Sequence, residues 1–157
     1  MQTIMITGCS SGFGLETARY FLEQGWKVIA TMRAPQEGVL PASDRLRLVR
    51  LDVTSAQSIA EAIAEVGEID VLVNNAGVGM LNALEGAPRE AIANLFATNT
   101  LGTIAMTQAV IPRFRARRSG TIVNITSAVT LQPMPLLAVY TASKAAVNAF
   151  TESLALE

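Results

Sequence analysis

Tyr140 and Lys144 stand four residues apart in a helix-like pattern, so both side chains fall on one helix face. A free phenol has a pKa of about 10 and is a poor base at neutral pH. A nearby ammonium stabilises the phenolate and lowers that value. The pair therefore suits proton exchange with an alcohol or carbonyl oxygen. Ser127 stands at the end of an apolar run, where its hydroxyl can bond a substrate oxygen and hold it beside Tyr140. Alone, each signal is weak: a Tyr-x-x-x-Lys spacing is usually a surface pair, and a serine at a strand end is usually a cap. Competing chemistries are excluded by composition. The 157 residues contain no His, so a His-based triad or His-ligated metal cannot form. The single Cys9 excludes an intrachain disulfide and a cysteine-cluster zinc site, and no metal is expected.

A second group lies at the start of the chain, in Thr7-Gly8-Cys9-Ser10-Ser11-Gly12-Phe13-Gly14. It follows a short apolar run and opens a helical pattern, which is the context a phosphate-binding turn requires. One glycine allows the tight turn, one lets backbone approach a pyrophosphate, and one lets the helix pack on the strand. The free amides and positive dipole end of the helix then face phosphate. Candidate cofactor contacts here are Gly8, Ser10, Ser11, Gly12, Phe13 and Gly14.

The elements that must carry these residues alternate. Short apolar runs at 4–6, 28–30, 46–51, 71–73 and 122–125 are rich in Val or Ile and bounded by Gly, Asn or Asp, as strands are. Leu15, Ala18, Phe21 and Leu22 share one helix face, and Ile59, Ala62, Ile63 and Val66 share another after a cap at Thr54 or Ser55. A long Ala-rich helix is predicted from Pro88 to about Ala116, with Pro112 bending or breaking its far end. A last helix is predicted from about Tyr140 to Glu157, packing through Ala145, Ala146, Ala149, Phe150 and Leu154. Residues 34–44 read as a loop with two prolines. Alternating strands and helices imply a single α/β domain over residues 1–157: a Rossmann-type, doubly wound parallel sheet with helices on both faces.

Half the residues are hydrophobic, 16% are charged, and 12 basic against 13 acidic side chains leave a net charge of −1, too balanced for a nucleic-acid binder. Arg113, Arg115, Arg117 and Arg118 read as a solvated helix end favoured by the dipole. No apolar run is long enough to span a bilayer, and no signal-peptide pattern opens the chain, so no membrane association and a cytoplasmic location are expected.

The spacing T-G-x-x-x-G-x-G resembles the short-chain dehydrogenase/reductase family. Four further matches follow in order. Asp52, with Val53 beside it, resembles the family's adenine-contacting acid. Asn74-Asn75-Ala76-Gly77 looks like its N-N-A-G motif, adding Asn75, Ala76 and Gly77 to the cofactor contacts. Asn99 is similar to its catalytic asparagine, and Ser127, Tyr140 and Lys144 to its catalytic serine and Y-x-x-x-K pair. The resemblance implies reversible hydride transfer between nicotinamide C4 and a carbonyl or secondary alcohol. Lys144 would also bind the nicotinamide ribose, and Asn99 would hold a water that links Lys144 to solvent. The long helices at 88–116 and 140–157 would enter a subunit bundle, giving a homodimer or homotetramer.

The second strand ends Ala30-Thr31-Met32-Arg33, without the acid that usually bonds an NAD ribose. Arg33 can instead pair with a 2′-phosphate, so NADP is expected, with NAD as the alternative. Met80, Leu131, Met134, Leu136 and Leu137 would make an apolar wall, suggesting an apolar carbonyl or alcohol substrate. T-G-C-S-S-G-F-G with A-T-M-R loosely resembles the branch acting on retinoids and steroids. The chain stops inside the helix of Tyr140, whereas family members continue through further strands. Strand 122–125 is then expected at an apolar sheet edge, and a truncated nucleotide-binding module without turnover is the alternative function.

Overall fold

The computed structural model describes residues 1–157. Five strands form one parallel sheet in the order β3-β2-β1-β4-β5: β1 Thr3–Thr7, β2 Lys27–Met32, β3 Leu46–Arg50, β4 Val71–Asn74 and β5 Thr121–Asn124. The register sets Thr7 beside Thr31, Met32 beside Arg50, and Asn74 beside Asn124. Because β1 is flanked by β2 and β4, the chain leaves it in opposite directions, and a crevice opens at the carboxyl ends of these strands.

Helix α1 (Gly12–Glu23) covers one face. Its Ala18 and Leu22 bury against Ile4, Ile6, Val28, Ala30 and Val73. The other face receives α2 (Ala56–Val66) and α4 (Gly102–Arg117). Ile59, Ala62, Ile63 and Val66 of α2 meet Met106, Val110 and Phe114 of α4 over Met5, Ile29, Val49 and Leu72. The alternating Cβ directions of each strand feed the two cores in turn. Of the two cap candidates, Ser55 is the one used; its side chain accepts from the Ser58 amide.

Two helices depart from the sequence expectation. The helix expected at 88–116 is α3 (Arg89–Phe96), a π-helical turn at Ala97–Leu101, then α4. Pro112 does not break it; α4 continues to Arg117. Pro112 and Gln108, whose carbonyl loses its helical partner, both lie on the exposed side, where water can serve that carbonyl. Phe114 beyond the proline is buried and holds the last turn on the core. Finally, α5 runs from Ala138 to Leu154 and buries Ser143, Lys144 and Val147, while Ala145 and Ala149 are exposed. An apolar count selects the alanine face; the buried polar network described below selects the other.

Candidate active site

Gly8 follows β1 with φ +75, and a Cβ there would lie 2.8 Å from the Ala76 Cα. That approach joins the glycine turn to the segment leaving β4. Asn75 Nδ2 donates to the carbonyls of Thr7 (2.9 Å) and Gly8 (3.2 Å). Thr7 Oγ1, itself buried, accepts from the amides of Asn75 (3.0 Å) and Ala76 (2.9 Å). Gly14 sits beneath the turn, where a Cβ would overlap the Gly8 carbonyl and the Asn75 amide. Gly14 is therefore the helix-on-strand contact, and it does not line the cleft.

The cleft has a volume of about 1000 Å³. Gly8, Ser10, Ser11, Gly12 and Phe13 line one side, with Arg33, Asp52 and Val53 from the ends of β2 and β3. Asn75, Ala76, Gly77 and Val78 line the middle, and Ser127, Tyr140 and Lys144 the far end. The residues singled out in six separate stretches of sequence thus share one cavity, apart from Gly14 and Asn99. Ser127 is not the last residue of β5; it lies three residues beyond Asn124, where it opens a short 3₁₀ turn at Ala128–Thr130.

The cradle fits a dinucleotide. Ser11, the N-cap of α1, makes no side-chain cap bond, and the first turn of α1 holds no acidic residue. Its amides and dipole end therefore remain available for phosphate oxygens. Arg33 is exposed and absent from the four ion pairs of the chain. Asp52 Oδ1 accepts from the Thr54 hydroxyl (2.7 Å) and amide (2.9 Å). These bonds, helped by the nearby positive charges of Arg33 and Arg50, hold its carboxyl below the usual carboxylate value. A fixed anion at that position can accept hydrogen bonds from an adenine or ribose edge.

Lys144 is 5% exposed, and its Nζ donates to the Ile125 carbonyl at 2.8 Å. Burial pushes its pKa below the ordinary 10.5. Asn99 is fully buried behind Gly77 rather than on the cleft wall. Its Oδ1 accepts from the Val78 amide (2.8 Å), and its Nδ2 donates to the Val78 carbonyl (2.9 Å) and to Ser143 Oγ (3.2 Å). Its side chain is thus occupied by protein groups. Its carbonyl, in the π-helical turn, accepts from Thr103 Oγ1.

Sequence reasoning missed Thr7, Ser143 and the Ile125 carbonyl. The threonine was visible as the first letter of the glycine motif. The carbonyl has no side-chain signature. No group of three or more potential metal-ligating side chains comes together, and no helix is long and apolar enough to cross a membrane.

The family model for short chain dehydrogenase matches residues 2–157. A 3-ketodihydrosphingosine reductase of Bacteroides thetaiotaomicron is 42% identical over 99% of this chain and 58% of its own length. The closed form of a serine dehydrogenase complexed with NADP+ superposes with a TM-score of 0.90 at 35% identity, over 98% of this chain and 65% of that one. A 4-hydroxyisoleucine dehydrogenase complexed with NADH gives 0.89 at 27% identity, over 99% and 69%. The chain thus spans a little over half the length of the curated reductase that it matches. The glycine turn, the Asn75–Gly77 segment and the Tyr140–Lys144 helix occur in one fold with this match, and the chain belongs to the short-chain dehydrogenase/reductase family.

Proposed function

We propose that the protein is an oxidoreductase that transfers hydride between NADP(H) and a carbonyl or secondary alcohol carbon, with Tyr140 as the general acid and base. The observation that carries this reading is that Ser127, Tyr140 and Lys144 open onto the same cleft as the glycine turn. A bound nicotinamide supplies or accepts the hydride. The chain's own residues do the rest. The turn amides and the α1 dipole hold the phosphates. Ser127 donates to the substrate oxygen and orients it. Tyr140 gives that oxygen a proton during reduction and recovers one during oxidation. Lys144, held by the Ile125 carbonyl, places positive charge beside the ribose and the phenol.

Preference for NADP rests on Arg33, an exposed guanidinium on the cleft wall without a protein partner. A 2′-phosphate would supply that partner through a charge-assisted, bidentate contact. Met80, Leu131, Met134, Leu136 and Leu137 do not form the cleft wall itself; Leu81, Leu131, Met134 and Leu136 are more than half exposed on the segments that continue from the cleft residues Gly79 and Ala128. They support an apolar substrate, as does the sphingoid ketone named for the Bacteroides relative. Consumption of NADPH against a panel of apolar ketones and aldehydes tests the reading. Turnover of an apolar ketone is expected. Tight NADPH binding with no turnover across the panel would contradict it.

A further inference from the structure

We infer that Ser143 is a positioning residue for the Tyr140–Lys144 pair, and that it carries the placement of the buried Asn99 amide to the backbone of Tyr140. The inference rests on the functional reading above, which gives Tyr140 its role. Ser143 and Asn99 are both 0% exposed. The orientation of the Asn99 amide is fixed at both ends by Val78, since Oδ1 meets an N–H and Nδ2 meets a carbonyl. The second Nδ2 proton goes to Ser143 Oγ. Ser143 then has one proton to give, and gives it to the Tyr140 carbonyl at 2.7 Å. The donor direction along Val78, Asn99, Ser143 and Tyr140 is thereby determined. A second bond, from Thr100 Oγ1 to the Ser143 carbonyl at 3.0 Å, ties the same helix to the π-helical turn without reaching Tyr140.

Tyr140 needs this support because of where it sits. It is the third residue of α5, whose N-cap Leu137 offers no side-chain cap. The residue before the cap, Leu136, has φ +62, a conformation that a leucine adopts only against strain. An uncapped first turn entered through a strained residue frays readily. A serine inside a helix often bonds back to a carbonyl one turn earlier. Here the hydroxyl is also an acceptor for an amide that the β4 exit has already locked, so the turn bearing Tyr140 is registered against the cleft floor.

Two variants separate positioning from plain stability. Ser143→Ala removes the relay to Tyr140; Thr100→Val removes only the neighbouring bond. Ser143→Ala is expected to lower kcat about tenfold or more and to displace the pH profile of kcat, with the NADPH Kd changed less than about twofold. Thr100→Val is expected to lower the urea midpoint while leaving that pH profile in place. Ser143→Cys, which keeps a weaker donor in the same position, is expected to fall between. Amide hydrogen exchange supplies a readout that needs no turnover. In Ser143→Ala the amides of Thr141 to Lys144 should exchange about tenfold faster, while those of Met106 to Phe114 stay unchanged. Unchanged exchange in the first turn of α5 would overturn the inference, as would a wild-type kcat and pH profile in Ser143→Ala. Absence of turnover in the unaltered protein would strike the oxidoreductase reading, and the exchange rates would still decide the role of Ser143.

Discussion

The ammonium of Lys144 rests on the carbonyl oxygen of Ile125 at 2.8 Å, so the helix that bears Tyr140 is pinned to the segment leaving β5. One cation thereby fixes two walls of the cleft. It also lies in a place that disfavours its charge, since burial depresses its pKa below 10.5.

That depression has a stability consequence. In the unfolded chain Lys144 keeps its proton up to about its ordinary value, while in the fold it loses the proton at lower pH. Between those two values the unfolded state binds more protons, so stability rises with pH. Below the folded value the full cost of burying the charge is present. Urea midpoints of the wild type and of Lys144→Met, measured from neutral pH toward 10.5, are expected to diverge in favour of the wild type as pH rises. A constant difference would show that the Lys144 proton is not coupled to folding.

Thr7 is expected to matter more than its size suggests. Thr7→Val keeps the shape but leaves the amides of Asn75 and Ala76 without their acceptor. A cost of about 2 kcal/mol is expected, from partly buried donors left unmade. Denaturant unfolding checks it, and Thr7→Ser should recover most of the loss.

Arg33→Ala is expected to weaken NADPH by about ten- to a hundredfold, the worth of a charge-assisted phosphate contact. NADH should change by less than about twofold, because it has no 2′-phosphate. Fluorescence titration of both cofactors decides it, and an equal loss for both would remove the NADP preference.

Cys9 is fully buried, its Sγ lies 3.2 Å from the Ile6 carbonyl, and burial pushes its thiol pKa up to about 12. The thiolate is therefore suppressed at neutral pH, despite its place in the glycine turn. Reaction with a disulfide reagent is expected to follow the urea unfolding curve. Rapid labelling of the native protein would contradict the buried placement.

How far the sequence carried these conclusions differs from residue to residue. Ile59, Ala62, Ile63 and Val66 declared α2 because a helix covering a sheet needs that period, and all four are buried. Tyr140, Lys144 and Ser127 were legible because their types and order are tied to one chemistry. Side-chain periodicity says nothing of backbone carbonyls, so the Ile125 contact of Lys144 was invisible. Ser143 carried no signal in the sequence because its partner, Asn99, is 44 positions away. The resemblance gave Asn99 a water; the bonds of its side chain to Val78 and Ser143 became visible only once the π-helical turn brought it under Gly77. Of the bend or break expected at Pro112, the break does not occur, because the rule concerns a lost hydrogen bond and the carbonyl concerned belongs to an exposed residue.

The central claim is that the Tyr140 hydroxyl moves the proton, and Tyr140→Phe tests it most directly, with kcat and the NADPH Kd measured on the same preparation. A fall in kcat of about a hundredfold or more is expected, the usual worth of a positioned acid or base, with Kd within about threefold of wild type. A variant that binds NADPH normally and turns over within a few-fold of wild type would contradict the account.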